Sequence, residues 1–177
     1  LTLNILYENG ALVKAATRGD GVTGEEVTAQ VKTISGVPRN ISYKGKIEIQ
    51  GEGIMRLSAL AEYNARSSEP LKNARNAAAG AIRNLDPKVT ASRRPEIIFY
   101  DINYMSDEPV SSQQQAVALL RKWGFQTFPF LRVCSSFEEV RAAVDEIEVG
   151  RKSLDVLTDG AVIKTDAEDI RRRMGYT

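Results

Sequence analysis

Apolar and polar side chains alternate along "LTLNILYENGALVKAATR" on both sides of Asn9-Gly10. That dipeptide suits the positive φ angles of a two-residue hairpin turn. The pattern predicts strands near 2–7 and 11–17. Thr23, with Glu26 three residues on, has the form of a capping box, and a helix over about 24–33 is expected behind it. "KIEIQGE" returns to period two and predicts a short strand in which Glu48, Gln50 and Glu52 share one face. An amphipathic helix at about 56–66 follows. "LKNARNAAAGAIRNLDP" reads as a loop passing into a small-residue helix that Asp86-Pro87 closes, its alanines admitting close approach of another backbone.

"EIIFYDINYM" predicts a buried strand near 96–104, and a helix from Ser112 to Trp123 comes next. A strand is expected near "FLRVC", then a helix from Ser136 with Glu139 as its capping partner. "DGAVIKT" reads as a strand entered by a turn, and "DAEDIRRRMG" as a short helix with Gly175 as its C-cap. An early hairpin followed by isolated strands between helices, without a regular βαβ repeat, predicts an α+β fold with mixed, largely antiparallel sheets and flanking helices.

A length of 177 residues, 42% of them hydrophobic, is enough for one sizeable core, so one domain is expected. The 24 basic and 23 acidic residues leave a net charge of +1, too little to draw a polyanion to the whole surface. Nucleic-acid contact must then rest on local arginines. No apolar run approaches the roughly 20 residues of a membrane span, and Leu1 opens into strand-like sequence without a signal peptide. The single cysteine, Cys134, excludes an internal disulfide framework and a multi-cysteine zinc site. A soluble protein of a reducing, cytoplasmic setting is expected. The chain contains no histidine, which removes Ser–His and Cys–His nucleophile pairs and the usual proton carrier near neutral pH. An enzyme of this composition works through lysine, arginine, carboxylates or a metal ion.

Several short stretches carry candidate chemistry. "TRGDGVTGEEVT" sets Arg18 before a glycine loop and a helix start. It is either an anion site or a turn in which glycine supplies positive φ and Asp20 bonds the backbone. The loop matches neither the P-loop nor the dinucleotide fingerprint. The face bearing Glu48, Gln50 and Glu52 is either solvated or the lining of a polar pocket. Lys164, leaving the apolar run of "TDGAVIKT", either snorkels to solvent or neutralises a phosphate. Arg75 and Arg83 flank the small-residue helix and Arg151 precedes Asp159. Each either forks onto phosphate or is a surface charge.

Taken in order, "LYENGALVKAATRGDGVTGEEVT", "EIQGE", "NARNAAAGAIRNLDPK", "IFYDINY" and "DGAVIK" resemble the nucleotidyltransferase domain of bacterial NAD-dependent DNA ligases, from Leu1 to Thr177. The resemblance implies a nucleotidyltransferase (ATP-grasp-like) fold. It also implies an enzyme that seals nicks in duplex DNA. In that family the lysine of a Lys-x-Asp-Gly motif attacks the adenylyl phosphate of NAD and nicotinamide mononucleotide leaves. AMP then passes to a DNA 5′-phosphate, and the 3′-hydroxyl of the nick displaces it. Mg²⁺ as cofactor, NAD, AMP and nicked DNA as partners, a monomeric state and a bacterial cytoplasmic location follow from the same resemblance. By family order the Lys-x-Asp-Gly motif would end immediately before Leu1 and a last lysine-bearing motif would lie beyond Thr177. The expectation is therefore an adenylation-domain fragment without its nucleophile, with zinc confined to a C-terminal region of the longer family member.

The resemblance carries over to individual positions. Arg18 resembles the arginine that contacts the nucleotide ribose and phosphate, and Glu52 the carboxylate bonded to the ribose hydroxyls. Tyr100 is similar to the aromatic residue stacked on adenine. Val162 and Lys164 look like the residues under the adenine and near its phosphate, and Lys164 and Asp159 like catalytic residues. Arg75, Arg83 and Arg151 resemble arginines that contact phosphate or DNA. Gln50 stands where many members have arginine, and Thr158 and Ala161 also depart from the commonest pattern. The alternatives are an ATP-dependent nucleotidyltransferase and a catalytically inactive nucleotide- or DNA-binding paralogue; the block "NARNAAAGAIRNLDP" favours the NAD family.

Overall fold

The computed structural model describes residues 1–19 and 23–175. The hairpin forms as its alternation predicts: β1 (Thr2–Glu8) and β2 (Ala11–Thr17) pair antiparallel across Asn9 and Gly10, whose φ angles are 49° and 81°. Gly10 is required twice over, since a Cβ there would sit 2.6 Å from the Ile41 carbonyl oxygen. Pairing continues antiparallel from β1 to β3 (Ile47–Ile54) and from β3 to β4 (Glu96–Met105), giving one sheet of order β2-β1-β3-β4.

Alternation divides this sheet into two chemically different faces. Leu3, Ile5, Tyr7, Ile47, Ile49, Ile97 and Phe99 are buried on one side. Helices α1 (Thr28–Val31), α3 (Ala74–Ile82) and α5 (Gln113–Lys122) cover that side with Val31, Ile82, Ala116 and Leu120. Phe125 closes the core by edge contacts with Tyr7 and Phe99 at 5.6 and 4.7 Å between ring centroids. The other face is polar. Asn4 there accepts from Gln50 Nε2 at 3.2 Å and from Asn103 Nδ2 at 3.3 Å, and Asn103 also donates to Glu48 at 3.1 Å. The fold is α+β with an antiparallel four-stranded sheet, and a parallel bridge joins Phe99 to Thr127.

The remaining helices are α2 (Leu57–Arg66), α4 (Pro87–Arg93), α6 (Phe137–Gly150) and α7 (Glu168–Met174). Ser112 caps α5 and Ser136 caps α6 through their hydroxyls, while the Glu139 carboxylate accepts from Ser135 N–H rather than completing a box with Ser136. Among the described residues no helix is long and apolar enough to cross a membrane.

Four expectations are corrected. The helix over 24–33 shrinks to Thr28–Val31, with no side-chain cap. Residues 25–27 instead lie along the free edge of β2, where Thr17 N–H donates to Glu25 O and Val27 N–H to Ala15 O. Satisfying that edge outweighs the local capping signal. Asp86-Pro87 does not close α3 but opens α4, Asp86 accepting from Lys88 N–H with Pro87 in the first turn. The run "FLRVC" is no strand: Gln126 and Thr127 touch β4 once and the chain then leaves the sheet, with Val133 exposed. "DGAVIKT" is also unpaired among the described residues, with Val162 and Ile163 exposed. Two of these errors share a cause, because a short apolar run announces a strand but not whether a partner edge is free.

Phe99 ties β4 to the closing aromatic cluster, and Phe99→Ala should lower stability by about 3–5 kcal/mol. Urea unfolding measures this, and a loss below about 1 kcal/mol would show that the ring is not a core member.

Candidate functional site

The polar face acquires its chemistry from an irregularity in β4. Gln50 stands opposite Asp101 and Gly51 opposite Phe99, so Tyr100 is the extra residue of a β-bulge. A bulge re-aims a side chain by breaking the alternation. Phe99 remains in the core while Tyr100, half-buried, joins Thr2, Glu52 and Asp101 on the polar side. Thr2 and Glu52 are cross-strand partners, and the Thr2 hydroxyl donates to Glu52 Oε2 at 3.1 Å.

Cations complete the group. Lys164 Nζ lies 5.0 Å from the centroid of the Tyr100 ring, within cation–π range, and donates to Asp101 Oδ2 at 2.9 Å. Arg18 follows β2 directly, and its N–H bonds the Thr2 carbonyl at 3.0 Å. Burial pushes the Tyr100 phenol above its ordinary pKa, and the Glu52 charge pushes it further; the Thr2 hydrogen bond and the Arg18 charge pull it back. Gly19, next to Arg18, has φ 56°, and a Cβ there would fall 1.7 Å from the Thr23 carbonyl oxygen. Only glycine fits that turn. The backbone bond expected of Asp20, with Gly21 and Val22, lies outside the described residues.

Glu52, Tyr100 and Lys164 are thus brought together, and Arg18 enters the same end of the sheet through its backbone bond to Thr2. Asp159 and Val162 are not part of this cluster: both are exposed, Val162 to 82%. Arg151 donates to the Thr158 carbonyl at 2.7 Å and so holds the backbone beside Asp159. Arg83 pairs with Glu25 at 2.8 Å, and Arg75 stands exposed in the first turn of α3.

Sequence reasoning passed over the groups that hold Lys164 in place. Asp155 supplies the missing cap of α2, its carbonyl accepting from Leu57 N–H at 3.1 Å and its carboxylate from Ser58 N–H at 2.9 Å. Asp166 does the same for α5 through Gln113 N–H and Gln114 N–H at 2.9 and 3.0 Å. The segment bearing Asp159, Val162 and Lys164 hangs between these two attachments. Asp101 and Arg171 were also overlooked. A carboxylate inside the apolar run "IIFYDI", beside an aromatic residue, was the available signal.

A second concavity, about 340 Å³, is lined by Arg56, Glu62, Arg94 and Glu96 among others. Its charges already serve one another. Arg56 Nε pairs with Glu96 at 2.7 Å and Arg94 pairs with Glu62. The Arg56 hydrogen bond holds the Glu96 carboxyl below its ordinary range. That groove presents internal ion pairs rather than charge free for a ligand.

Around Tyr100 the inventory is different: an aromatic ring, a carboxylate with acceptor capacity for hydroxyl groups, and two cations of the kind that meet phosphate. This donor set fits a nucleoside monophosphate. It does not fit a metal ion held by the chain alone, because no group of three His, Cys, Asp or Glu converges among the described residues.

The family described as the NAD-dependent DNA ligase adenylation domain matches residues 1–177. A DNA ligase of Alkaliphilus metalliredigens is 49% identical over 177 residues, all of this chain and 27% of the relative. A DNA ligase of Finegoldia magna is 48% identical with the same coverage. One from Clostridium botulinum is 44% identical over 178 residues, again 100% of this chain and 27% of the relative. The chain thus spans 27% of the length of these curated relatives.

Because the Glu52 charge raises the Tyr100 ionisation, Glu52→Gln should move that titration to lower pH. Tyrosine ring NMR through a pH series reads the shift. An unchanged or higher titration point would mean that the carboxylate does not face the ring.

Proposed function

Because this chain belongs to the family of NAD-dependent DNA ligase adenylation domains, we propose that it forms the AMP-binding part of a DNA ligase that adenylates itself from NAD and passes the adenylyl group to DNA. The observation that carries the proposal is the Lys164 amine over the Tyr100 ring beside the Thr2–Glu52 pair, with Arg18 joined to Thr2 through its backbone. In this reading the antiparallel sheet is the base of a nucleotidyltransferase (ATP-grasp-like) fold whose polar face receives the nucleotide. The Tyr100 ring stacks on adenine, and Glu52 accepts from the ribose hydroxyls. Arg18 and Lys164 stabilise negative charge at the phosphate, where preorganised cations act most strongly on a transition state. Val162 lies under the adenine when the 159–165 segment is drawn across the nucleotide, and Asp159 approaches the phosphate with it.

NAD supplies the adenylyl group, and the attacking lysine lies outside the 177 residues, in the polypeptide that precedes Leu1. Mg²⁺ would arrive on the phosphates with its own waters, as is usual for that ion, rather than in a cage of side chains. Nicked duplex DNA is the acceptor in this reading. The exposed Arg75 and the loosely engaged Arg83 and Arg151 offer it forks for backbone phosphates. The polypeptide works as a monomer in the bacterial cytoplasm.

Incubated with NAD, a polypeptide carrying this domain together with its preceding residues should form a covalent AMP adduct. Glu52→Ala or Lys164→Ala should slow adduct formation by on the order of 10² or more, the scale of losing one preorganised charge or hydrogen bond. Mass spectrometry with a radiolabelled adenylate assay decides it. Labelling from ATP but not NAD would contradict the proposal, and near-native rates in both variants would remove these residues from the site.

A further inference from the structure

Lys164 has little to fix it through its own backbone. It sits in the 159–165 segment, which joins no ladder among the described residues and hangs between the attachments at Asp155 and Asp166. The position of its amine is therefore set by what the side chain touches, namely the Tyr100 ring and the Asp101 carboxylate. We propose that Asp101 is a positioning residue of this site: it holds the Lys164 amine over the Tyr100 ring before the nucleotide binds and yields it to the phosphate afterwards. This inference rests on the adenylation reading above.

The geometry of Asp101 supports both halves of that role. Oδ1 accepts from the Ile102 N–H at 3.0 Å, which locks the carboxylate to its own strand. Oδ2 accepts from Lys164 Nζ at 2.9 Å and faces Arg171 Nη1 at 3.5 Å. The carboxylate and the lysine side chain are 16% and 29% exposed, so the pair is screened less than one on an open surface. Arg171 is itself held by Gln113 Oε1 at 2.7 Å and by Glu168, and Gln113 Nε2 donates to the Tyr100 carbonyl at 2.6 Å. A chain of side chains thus runs from α7 through α5 to the bulge.

This arrangement has an energetic consequence. If Asp101 had Lys164 as its sole cation, releasing the amine would leave a bare carboxylate beside an incoming phosphate, a like-charge contact in a half-buried place. Arg171 removes that obstacle, because it stays against Asp101 when Lys164 turns away. Exchange of Lys164 from carboxylate to phosphate then trades one ion pair for another. The bulge supports the same purpose, since it sets the ring and the carboxylate that hold the amine on adjacent residues of β4.

The test uses the full-length ligase that contains this domain, comparing Asp101→Asn and Asp101→Glu in the native and the Lys164→Ala backgrounds. Asp101→Asn should lower the single-turnover adenylation rate from NAD about tenfold, within the usual coupling of charged neighbours, while the KM for NAD changes less. Asp101→Glu, which keeps the charge, should recover most of the rate. In the Lys164→Ala background Asp101→Asn should cost no further rate, since the group it positions is gone. Reductive methylation of the protein without nucleotide, read by peptide mass spectrometry, should label Lys164 several-fold faster in Asp101→Asn. An equal loss in both backgrounds, or unchanged rate and labelling, would overturn the role of Asp101. A native enzyme that forms no adduct from NAD, or a Lys164→Ala variant that forms it normally, would overturn the parent reading instead.

Discussion

The two-residue alternation of the sheet, broken by a bulge at Tyr100, is the constraint on which everything else rests. Alternation alone yields an apolar face for the helices and a polar face without them. It cannot place two neighbouring residues of one strand on the same side. The bulge opposite Gln50 and Gly51 does so, and the ring of Tyr100 and the carboxylate of Asp101 become neighbours on the polar face. Without it, one of the two would be turned toward the core occupied by Phe99. The packed side therefore supplies rigidity, through Phe99, Phe125 and Tyr7, and the open side supplies chemistry.

A second principle is the use of helix N-termini as fasteners. Asp155 and Asp166 meet unpaired N–H groups at the starts of α2 and α5, where the helix dipole also favours a negative charge. Each aspartate is distant in sequence from the helix it caps. The pair suspends the segment carrying Lys164 across the polar face without committing it to a strand. Its amine is then governed by ion pairing and by the aromatic ring, interactions that a phosphate can compete for. A paired strand would give the lysine a stiffer position and less freedom to change partner.

Much of this was legible in the sequence, and the divisions are physical. The hairpin, β3, β4, α5 and α6 were readable because their patterns are local: period two, a turn dipeptide, or a capping serine. The family resemblance named Glu52, Tyr100 and Lys164, which the fold brings to one end of the polar face, and also Asp159 and Val162, which it leaves exposed. What escaped depends on partners far away in the chain. The edge of β2 converted residues 25–27 from helix to pairing along that edge. Asp86-Pro87, equally good as an ending or a beginning, became the start of α4. Asp101 announced itself only as a carboxylate inside an apolar run, since the bulge that aims it has no local signature, and Arg171 escaped because its partners Gln113 and Glu168 belong to two helices.

The most direct measurement of the central claim is a crystal structure of the domain with AMP. The account predicts adenine stacked on the Tyr100 ring, the ribose hydroxyls at the Glu52 carboxylate, and the phosphate between Arg18 and a Lys164 amine that has left Asp101. AMP lodged in the Arg56–Glu96 groove, or bound with Tyr100 and Lys164 both untouched, would contradict it.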